Sequence, residues 1–364
     1  MRRTNRGAYH RRVRLPPSPR VLVSRTDRLG DVALTLPLCG LLKAEAGATV
    51  VFLGRRYTRP VLEAADAVDE ILEWEGGTAA DAAALVRRAR ADAVVHVFPR
   101  PALAWGALRA RVPVRVGTAR RWYHWPTCTV REPGGRRGSA LHEAQLNVRL
   151  ARSLLPDVDL PLDALRTCGR LTPRVPVPAA VAPLVAPDRF TLVIHPRSAG
   201  SGREWPLASW AALVAALPPD RFRVLVTGSA AEGAGMADWL AALPPHAHDL
   251  TGRLALAELL AVLAAADGMV AAGTGPVHLA AALGTRTLGL FPPVRPIHPG
   301  RWAPLGPRAE WLTAEAPCAA CAAGGPAGAG GGVCACMLAI PAEAVRARVA
   351  SWAAEAHGGR LATA

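Results

Sequence analysis

The chain has 364 residues with a formal net charge of +15, and 51% of the residues are hydrophobic. This length supports two α/β domains with separate cores, which excludes a small scaffold held by disulfides alone. No run of about 18 residues lacks charges and turn-forming residues, so we expect no membrane span. The seven cysteines are unevenly scattered, which favours a cytoplasmic protein over a secreted disulfide framework.

Residues 1–19 are a predicted disordered basic arm, rich in arginine and followed by no acidic residue before Asp27. Such an arm is attracted to an anionic membrane surface, and a solvated tail without a partner is the alternative. Lys43 is the only lysine, so nearly all basic residues are arginines, as a GC-rich coding bias would produce. The high net charge is therefore weak evidence for nucleic-acid binding, and we expect no nucleic-acid partner. The apolar run 21–24 is too short for a secretory signal, and none is expected.

The first domain, residues 20–155, alternates strand and helix patterns, which predicts βαβ units and a parallel sheet. Pro37 interrupts the first helical pattern and indicates a kink or a late helix start. Residues 118–138 read as an irregular surface loop with aromatic residues and arginines. The predicted strands are 20–25, 49–53, 68–72, 92–98 and 114–117, and the predicted helices are 32–46, 57–65, 78–90, 101–110 and 139–155.

A proline-rich linker, residues 156–188, separates this domain from a second alternating series over residues 189–340. The second series contains predicted strands at 190–195 and 222–227, with predicted helices at 206–217, 233–243 and 256–266. Two doubly wound domains place a cleft between the carboxyl ends of their strands, which is where such sheets bind ligands. Residues 337–356 read as a closing helix, within a C-terminal segment 341–364.

The stretch 267–291 reads as strand, glycine turn, helix and strand. Pro276 suits a first helical turn, and Gly284 suits the position after the helix. A glycine turn before a helix directs several backbone N–H groups at one point, which favours a phosphate ligand. An ordinary structural turn is the alternative, since most strand–turn–helix units bind nothing.

Polar side chains follow several of these strands and converge on the predicted cleft. Asp31 comes after the first strand of domain one, where it fits either a helix cap or a base for an acceptor hydroxyl. In domain two, Arg203 and the turn amides suit a diphosphate, and Glu232 suits ribose hydroxyls. His278 lies at a helix start, where a cap or surface role is the alternative to ligand binding.

Five segments in order resemble the bacterial heptosyltransferase family, glycosyltransferase family 9. They are Arg25–Pro37, His195–Trp205, Val226–Glu232, Asp249–Leu259 and Gly273–Leu283. The resemblance implies a GT-B fold and inverting, metal-independent transfer of a heptose from ADP-heptose. The implied acceptor is lipopolysaccharide core or another glycan, glycolipids included, at the cytoplasmic face of the inner membrane. It also implies that the closing helix packs back on the first domain.

The resemblance also implies roles for individual residues. Asp31 would be the general base, and Arg203 stands where the family has a lysine that offsets charge on the leaving diphosphate. Glu232 would contact the ribose. Ser198, Thr274, Gly275 and His278 would line the phosphates, and Gly273 and Pro276 would belong to the same nucleotide-binding site. The acceptor-side candidates are Arg28, Gly30 and His142.

The chain departs from the family pattern at one position of the glycine turn. Gly273 stands where the family has Asp, which leaves the identity of the donor sugar open. Another GT-B nucleotide-sugar enzyme, such as an epimerase, and a non-catalytic nucleotide-sugar-binding protein are the alternatives. No cofactor beyond the nucleotide sugar is expected.

A cysteine-rich loop at 318–336 contains Cys318, Cys321, Cys334 and Cys336. Four thiols in this spacing are able to hold a structural zinc ion. The second pair is separated by one residue only, and no histidine lies in the loop. We therefore favour free or transiently paired thiols, with zinc as the alternative.

Overall fold

The computed structural model describes residues 13–136, 138–155, 158–200, 202–323 and 334–361. These residues form two parallel sheets of six strands each, with helices on both faces, so the predicted α/β class is confirmed. Among them, no helix combines the length and hydropathy needed to cross a lipid bilayer.

The first sheet has the strand order β3-β2-β1-β4-β5-β6, and every pair in it is parallel. Its central strand β1 carries Val21, Leu22 and Val23, which are fully buried because helices cover both faces. The strands are Arg20–Ser24 (β1), Thr49–Gly54 (β2), Glu70–Glu73 (β3), Ala93–His96 (β4), Val114–Thr118 (β5) and Val130–Glu132 (β6).

The first helical pattern is split into α1 and α2, because Pro37 occupies the first turn of a new helix that begins at Leu36. The split leaves Asp31 in a separate helix of one turn. The helices of this half are Leu29–Ala33 (α1), Leu36–Ala46 (α2), Arg59–Ala64 (α3), Ala79–Ala89 (α4), Pro101–Arg109 (α5), His124–Thr127 (α6) and Glu143–Leu150 (α7).

The second sheet repeats the same topology, with the order β12-β11-β10-β7-β8-β9. In each sheet the chain reverses its direction of winding beside the first strand, β1 or β7, and ligands bind at such switch points. The strands are Phe190–His195 (β7), Phe222–Val226 (β8), Ala247–Asp249 (β9), Gly268–Ala272 (β10), Arg286–Phe291 (β11) and Ala309–Thr313 (β12).

The helices of the second half cover this sheet. The pattern at 233–243 forms two short helices in place of one. The helices are Leu207–Ala215 (α8), Ala230–Ala234 (α9), Ala237–Ala241 (α10), Leu256–Ala265 (α11), Gly275–Ala282 (α12), Pro299–Trp302 (α13), Ala319–Ala322 (α14), Ala335–Leu338 (α15) and Ala342–Leu361 (α16).

Two segments that the sequence analysis treats as loose are packed. The Val13 amide donates to the Ser153 carbonyl at 3.0 Å, and Val13 packs on the first core, so the predicted disorder is wrong for residues 13–19. The remainder of the basic arm, residues 1–12, lies outside the described part. In the linker, Leu165 and Leu171 are buried, and the Leu171 amide donates to Ala282 of the second domain.

The closing helix α16 does not pack back on the first domain. Val345, Val349 and Trp352 are buried in the core of the second domain, against α8 and the second sheet. Trp352 also lies against Gly268 at the start of β10. The expectation that this helix packs on the first domain is therefore wrong for residues 342–356, because its apolar side packs into the core of the second domain.

Candidate active site

A cavity of about 950 Å³ lies between the carboxyl ends of the two sheets. Both domains line it, and its size is in the range of sites that enclose a drug-sized ligand. The structure brings eleven of the predicted site residues to this cavity. They are Arg28, Gly30, Asp31, Ser198, Arg203, Glu232, Gly273, Thr274, Gly275, Pro276 and His278.

Two helices from different domains meet at this cavity through glycine. A Cβ on Gly275 of α12 would lie 2.9 Å from the Cβ of Leu29 in α1, and a Cβ on Gly30 would lie 2.8 Å from the His278 ring. Only glycine allows this approach without displacement. The contact sets Asp31 beside the glycine turn.

The glycine turn presents polar groups that lack partners. Thr274 precedes the first residue of α12 and makes no side-chain cap. Within the described residues, the Thr274 hydroxyl and His278 Nδ1 are buried without a hydrogen-bond partner. Burial lowers the pKa of His278 to about 3, so the imidazole is neutral at physiological pH. Together with the free N–H groups of the helix start, these atoms suit an anionic ligand.

The loop after β7 forms a second wall and is ordered by Glu204. The Ser198 amide and hydroxyl both donate to Glu204 Oε1, at 2.9 and 3.1 Å, and Arg197 pairs with Oε2 at 2.9 Å. A Cβ on Gly202 would lie 2.7 Å from the Gly273 carbonyl, so this loop touches the glycine turn. Ser198 therefore shapes the loop, and Arg203 brings a positive charge to the cavity.

Glu232 lies at the start of α9, where it forms a capping box with Ser229. The Ser229 amide and hydroxyl donate to Glu232 Oε2 at 2.7 and 2.9 Å. The box fixes the carboxylate in the cavity wall and leaves Oε1 as an acceptor for a ligand hydroxyl.

Asp31 is held by a buried arginine. The Arg25 guanidinium pairs with Asp31 and also donates to Asp27 Oδ1 at 2.7 Å, while the Thr35 hydroxyl donates to the Asp31 carbonyl at 2.8 Å. Burial raises the pKa of Asp27 to about 6. Neither Asp27 nor Arg25 was predictable as a site residue, because Asp27 lies in a polar turn without a distinctive spacing and Arg25 ends the predicted strand 20–25.

Asp31 also borders a second cavity of about 930 Å³ on the first domain. Arg136, Arg301 and Trp302 line both cavities as well, so the two are adjacent. Seven arginines line the second cavity against four carboxylates, Asp27, Asp31, Glu132 and Glu143. Its other arginines are Arg25, Arg120, Arg121, Arg149 and Arg152.

Glu143 joins the domains beneath this second cavity. Its carboxylate is fully buried and pairs with Arg25 and Arg136 of the first domain. It also pairs with Arg301 of the second domain, at 2.8 Å. Burial, together with the charges of Arg25 and Arg301, lowers the pKa of Arg136 to about 9. Sequence reasoning missed this cluster because its members are far apart in the chain.

His142, predicted on the acceptor side, does not line either cavity. It caps α7, where Nδ1 accepts from the Ala144 amide at 3.2 Å, and Nε2 contacts the Ala303 carbonyl of the second domain at 3.0 Å. Burial lowers its pKa to about 4. The residue is structural because both ring nitrogens are engaged.

Comparison with known proteins assigns this architecture. Residues 165–325 match the family model described as glycosyltransferase family 9 (heptosyltransferase). A relative from Haemophilus influenzae, described as a "Putative glycosyltransferase", is 26% identical over 79% of this chain and 86% of its own length. The fold superposes on Escherichia coli ADP-heptose LPS heptosyltransferase II with a TM-score of 0.71 and 19% identity, covering 92% of this chain and 99% of that one.

A family 9 glycosyltransferase structure from Veillonella parvula superposes with a TM-score of 0.78 and 16% identity, covering 94% of this chain and 99% of that one. Two parallel sheets facing a shared cavity, with this match, define the GT-B fold. The chain carries a glycosyltransferase family 9 domain and acts in sugar transfer.

Proposed function

We propose that this glycosyltransferase moves a heptose from ADP-heptose to an anionic glycan acceptor, with inversion at the anomeric carbon. The acceptor class includes lipopolysaccharide core. The observation that carries the proposal is the position of Asp31, which borders both cavities. A carboxylate at this junction is placed to act on two substrates that enter from opposite sides.

The first cavity suits the nucleotide sugar. Arg203, the N–H groups at the start of α12 and the unpartnered atoms of Thr274 and His278 meet a diphosphate. Glu232 accepts a ribose hydroxyl through Oε1. The donor in the similar Escherichia coli structure is ADP-heptose, which supports the same choice here.

The second cavity suits an acceptor that carries negative charge. Arg120, Arg121 and Arg301 lie along its wall, and arginine binds carboxylate and phosphate groups through paired hydrogen bonds. The phosphates and acidic sugars of a glycolipid core have this chemistry. The proposed membrane contact of the basic arm would bring such an acceptor near the cavity.

The proposed reaction is a single displacement. Asp31 accepts the proton of the acceptor hydroxyl, whose oxygen forms a bond to the anomeric carbon from the face opposite the diphosphate. The bond from this carbon to the diphosphate oxygen breaks, and ADP leaves with its new charge offset by Arg203 and the turn. Arg25 orients the Asp31 carboxylate.

The test is Asp31→Asn, which keeps the shape of the side chain and removes the base. We expect turnover of ADP-heptose to fall by about 100-fold or more while calorimetric ADP binding is retained. The matched control is Asp66→Asn, which changes an exposed carboxylate of the same domain outside both cavities. Unchanged turnover in Asp31→Asn would remove Asp31 from the chemistry, and absence of ADP binding in the wild type would contradict the donor assignment.

A further inference from the structure

Four cysteines that are separated in the sequence come together beside the second domain. The ligand atoms of Cys318, Cys321, Cys334 and Cys336 all lie within 4.8 Å of one another. Cys318 precedes the single turn α14 and Cys321 lies within it, while Cys334 precedes α15 and Cys336 lies in its first turn. The intervening residues 324–333 are outside the described part and contribute nothing to the site.

The arrangement matches the demands of a tetrahedral metal ion with four thiolate ligands. Zinc–sulfur bonds of about 2.3 Å at tetrahedral angles place neighbouring sulfurs about 3.8 Å apart, within the observed spread. The Cys318 amide donates to Cys336 Sγ at 3.0 Å, which supplies a hydrogen bond to one of the prospective ligands. Cys321 and Cys336 are buried, while Cys318 and Cys334 are half-buried, so the site is closed on one side and reachable on the other.

We propose that these four cysteines bind one zinc ion as a structural site, separate from sugar transfer. Soft thiolate ligands in a tetrahedral set select zinc or iron, and zinc suits a site without a redox role. Four protein ligands leave no open coordination position, and none of the cysteines lines either cavity. This replaces our interpretation of free or transiently paired thiols.

The ion would attach the cysteine-rich loop to the core of the second domain. Met337, next to Cys336, is fully buried in that core, and the Ile340 carbonyl accepts from Trp205 Nε1 at 3.1 Å. Trp205 follows the loop that Glu204 orders at the donor cavity. Metal binding therefore stabilises the packing of this segment on the core of the second domain.

The experiment measures the metal content of the full-length chain, purified without chelators or metal-affinity resin, by elemental mass spectrometry. We expect about one zinc ion per chain in the wild type. Cys318→Ser and Cys334→Ser change half-buried ligands, so they fold, and each loses most of the zinc. Cys168→Ser, another half-buried cysteine far from the cluster, keeps it.

A second readout separates metal binding from folding. A strong chelator lowers the Tm of the wild type and of Cys168→Ser, and leaves the Tm of Cys318→Ser unchanged because that variant has no ion to lose. Protein isolated without metal, a disulfide within the cluster under non-reducing mass spectrometry, or one iron ion in place of zinc would each overturn the proposal.

Discussion

The ring of Phe291 fills the space beside the glycine turn. A Cβ on Gly273 would lie 2.8 Å from Phe291 Cε1, and one on Gly289 would lie 2.5 Å from Cε2, so the ring is fitted between two glycine backbones. The ring therefore occupies the space that a side chain at residue 273 would need. It makes this part of the cavity apolar, where the family pattern has a charge.

Restoring the carboxylate alone is expected to be harmful. Gly273→Asp forces the ring to move, and overpacking of this kind costs about 1–3 kcal/mol in the free energy of unfolding. Gly273→Asp with Phe291→Leu recovers part of that loss, which denaturant titration of the two single variants and the double variant measures. Additive effects in this cycle would show that Gly273 and Phe291 do not interact.

His142 gives the protein a specific dependence on pH. Its pKa is about 4 in the folded chain against an ordinary value of 6.5, because burial penalises the charged ring and the positive charges of Arg166 and Arg301 add to that penalty. The stability it contributes is present above about pH 6.5 and is lost as the pH falls through about 4.

Comparison with His142→Gln isolates this contribution, since the other buried histidines remain in both proteins. Between about pH 7.5 and pH 4 the wild type should lose about 3 kcal/mol more unfolding free energy than the variant. If the unfolding free energies of the wild type and of His142→Gln changed equally with pH, the structural role of the neutral His142 ring would be contradicted.

At the scale of elements, the contact of α1 with α12 positions the reaction. Gly275→Ala places a methyl group 2.9 Å from Leu29 Cβ and forces the two helices apart by a few tenths of an ångström. We expect kcat to fall by about tenfold or more, with ADP affinity changed less. The reason is that a shift of α1 relative to α12 misplaces Asp31 relative to the donor, which slows sugar transfer more than it weakens nucleotide binding.

The control for this variant is Gly235→Ala. A Cβ at Gly235 would lie 3.5 Å from its nearest neighbour, an ordinary contact, and the residue has a helical φ of −73°. Steady-state kinetics with ADP titration compares the two. Equal kinetics in Gly275→Ala and Gly235→Ala would mean that the helices tolerate a wider spacing.

The sequence predicted the central strands and the edge strand β3, and it missed the other three edge strands, β6, β9 and β12. Buried strands such as β1 and β7 are continuous apolar runs, which parallel sheets require. The edge strands β6 and β9 have three residues each, and β12 alternates with polar residues, so none produces a distinctive pattern. Edge pairing depends on the neighbouring strand, which local sequence does not encode.

At the scale of the molecule, Glu143 is a buried charge that links the two domains. Glu143→Gln leaves Arg25, Arg136 and Arg301 without their shared counter-charge, and breaking a buried pair costs about 3–5 kcal/mol. The control Glu343→Gln alters an exposed pair with Arg346 and should have no measurable effect. Chemical denaturation of both variants provides the comparison, and a small loss in Glu143→Gln would contradict the bridging role.

The plan of two parallel sheets and eleven of the residues that line the first cavity were predictable, because motifs follow strand ends and the strand ends of parallel sheets gather at one place. Three features were not predictable: the Glu143 cluster, the packing of the linker and the packing site of α16. Each depends on which distant surfaces are complementary, as Trp352 against Gly268 illustrates. Such fits arise in the folded chain and have no local sequence signature.

The shared wall of the two cavities also sets how the proposed enzyme treats water. Asp31 faces the acceptor side, so an empty acceptor cavity would leave solvent where the sugar hydroxyl belongs. Wasteful hydrolysis of the donor would then compete with transfer, and occupancy of the arginine-lined cavity would suppress it. Fidelity toward the acceptor would thus come from exclusion of water as much as from recognition of the glycan.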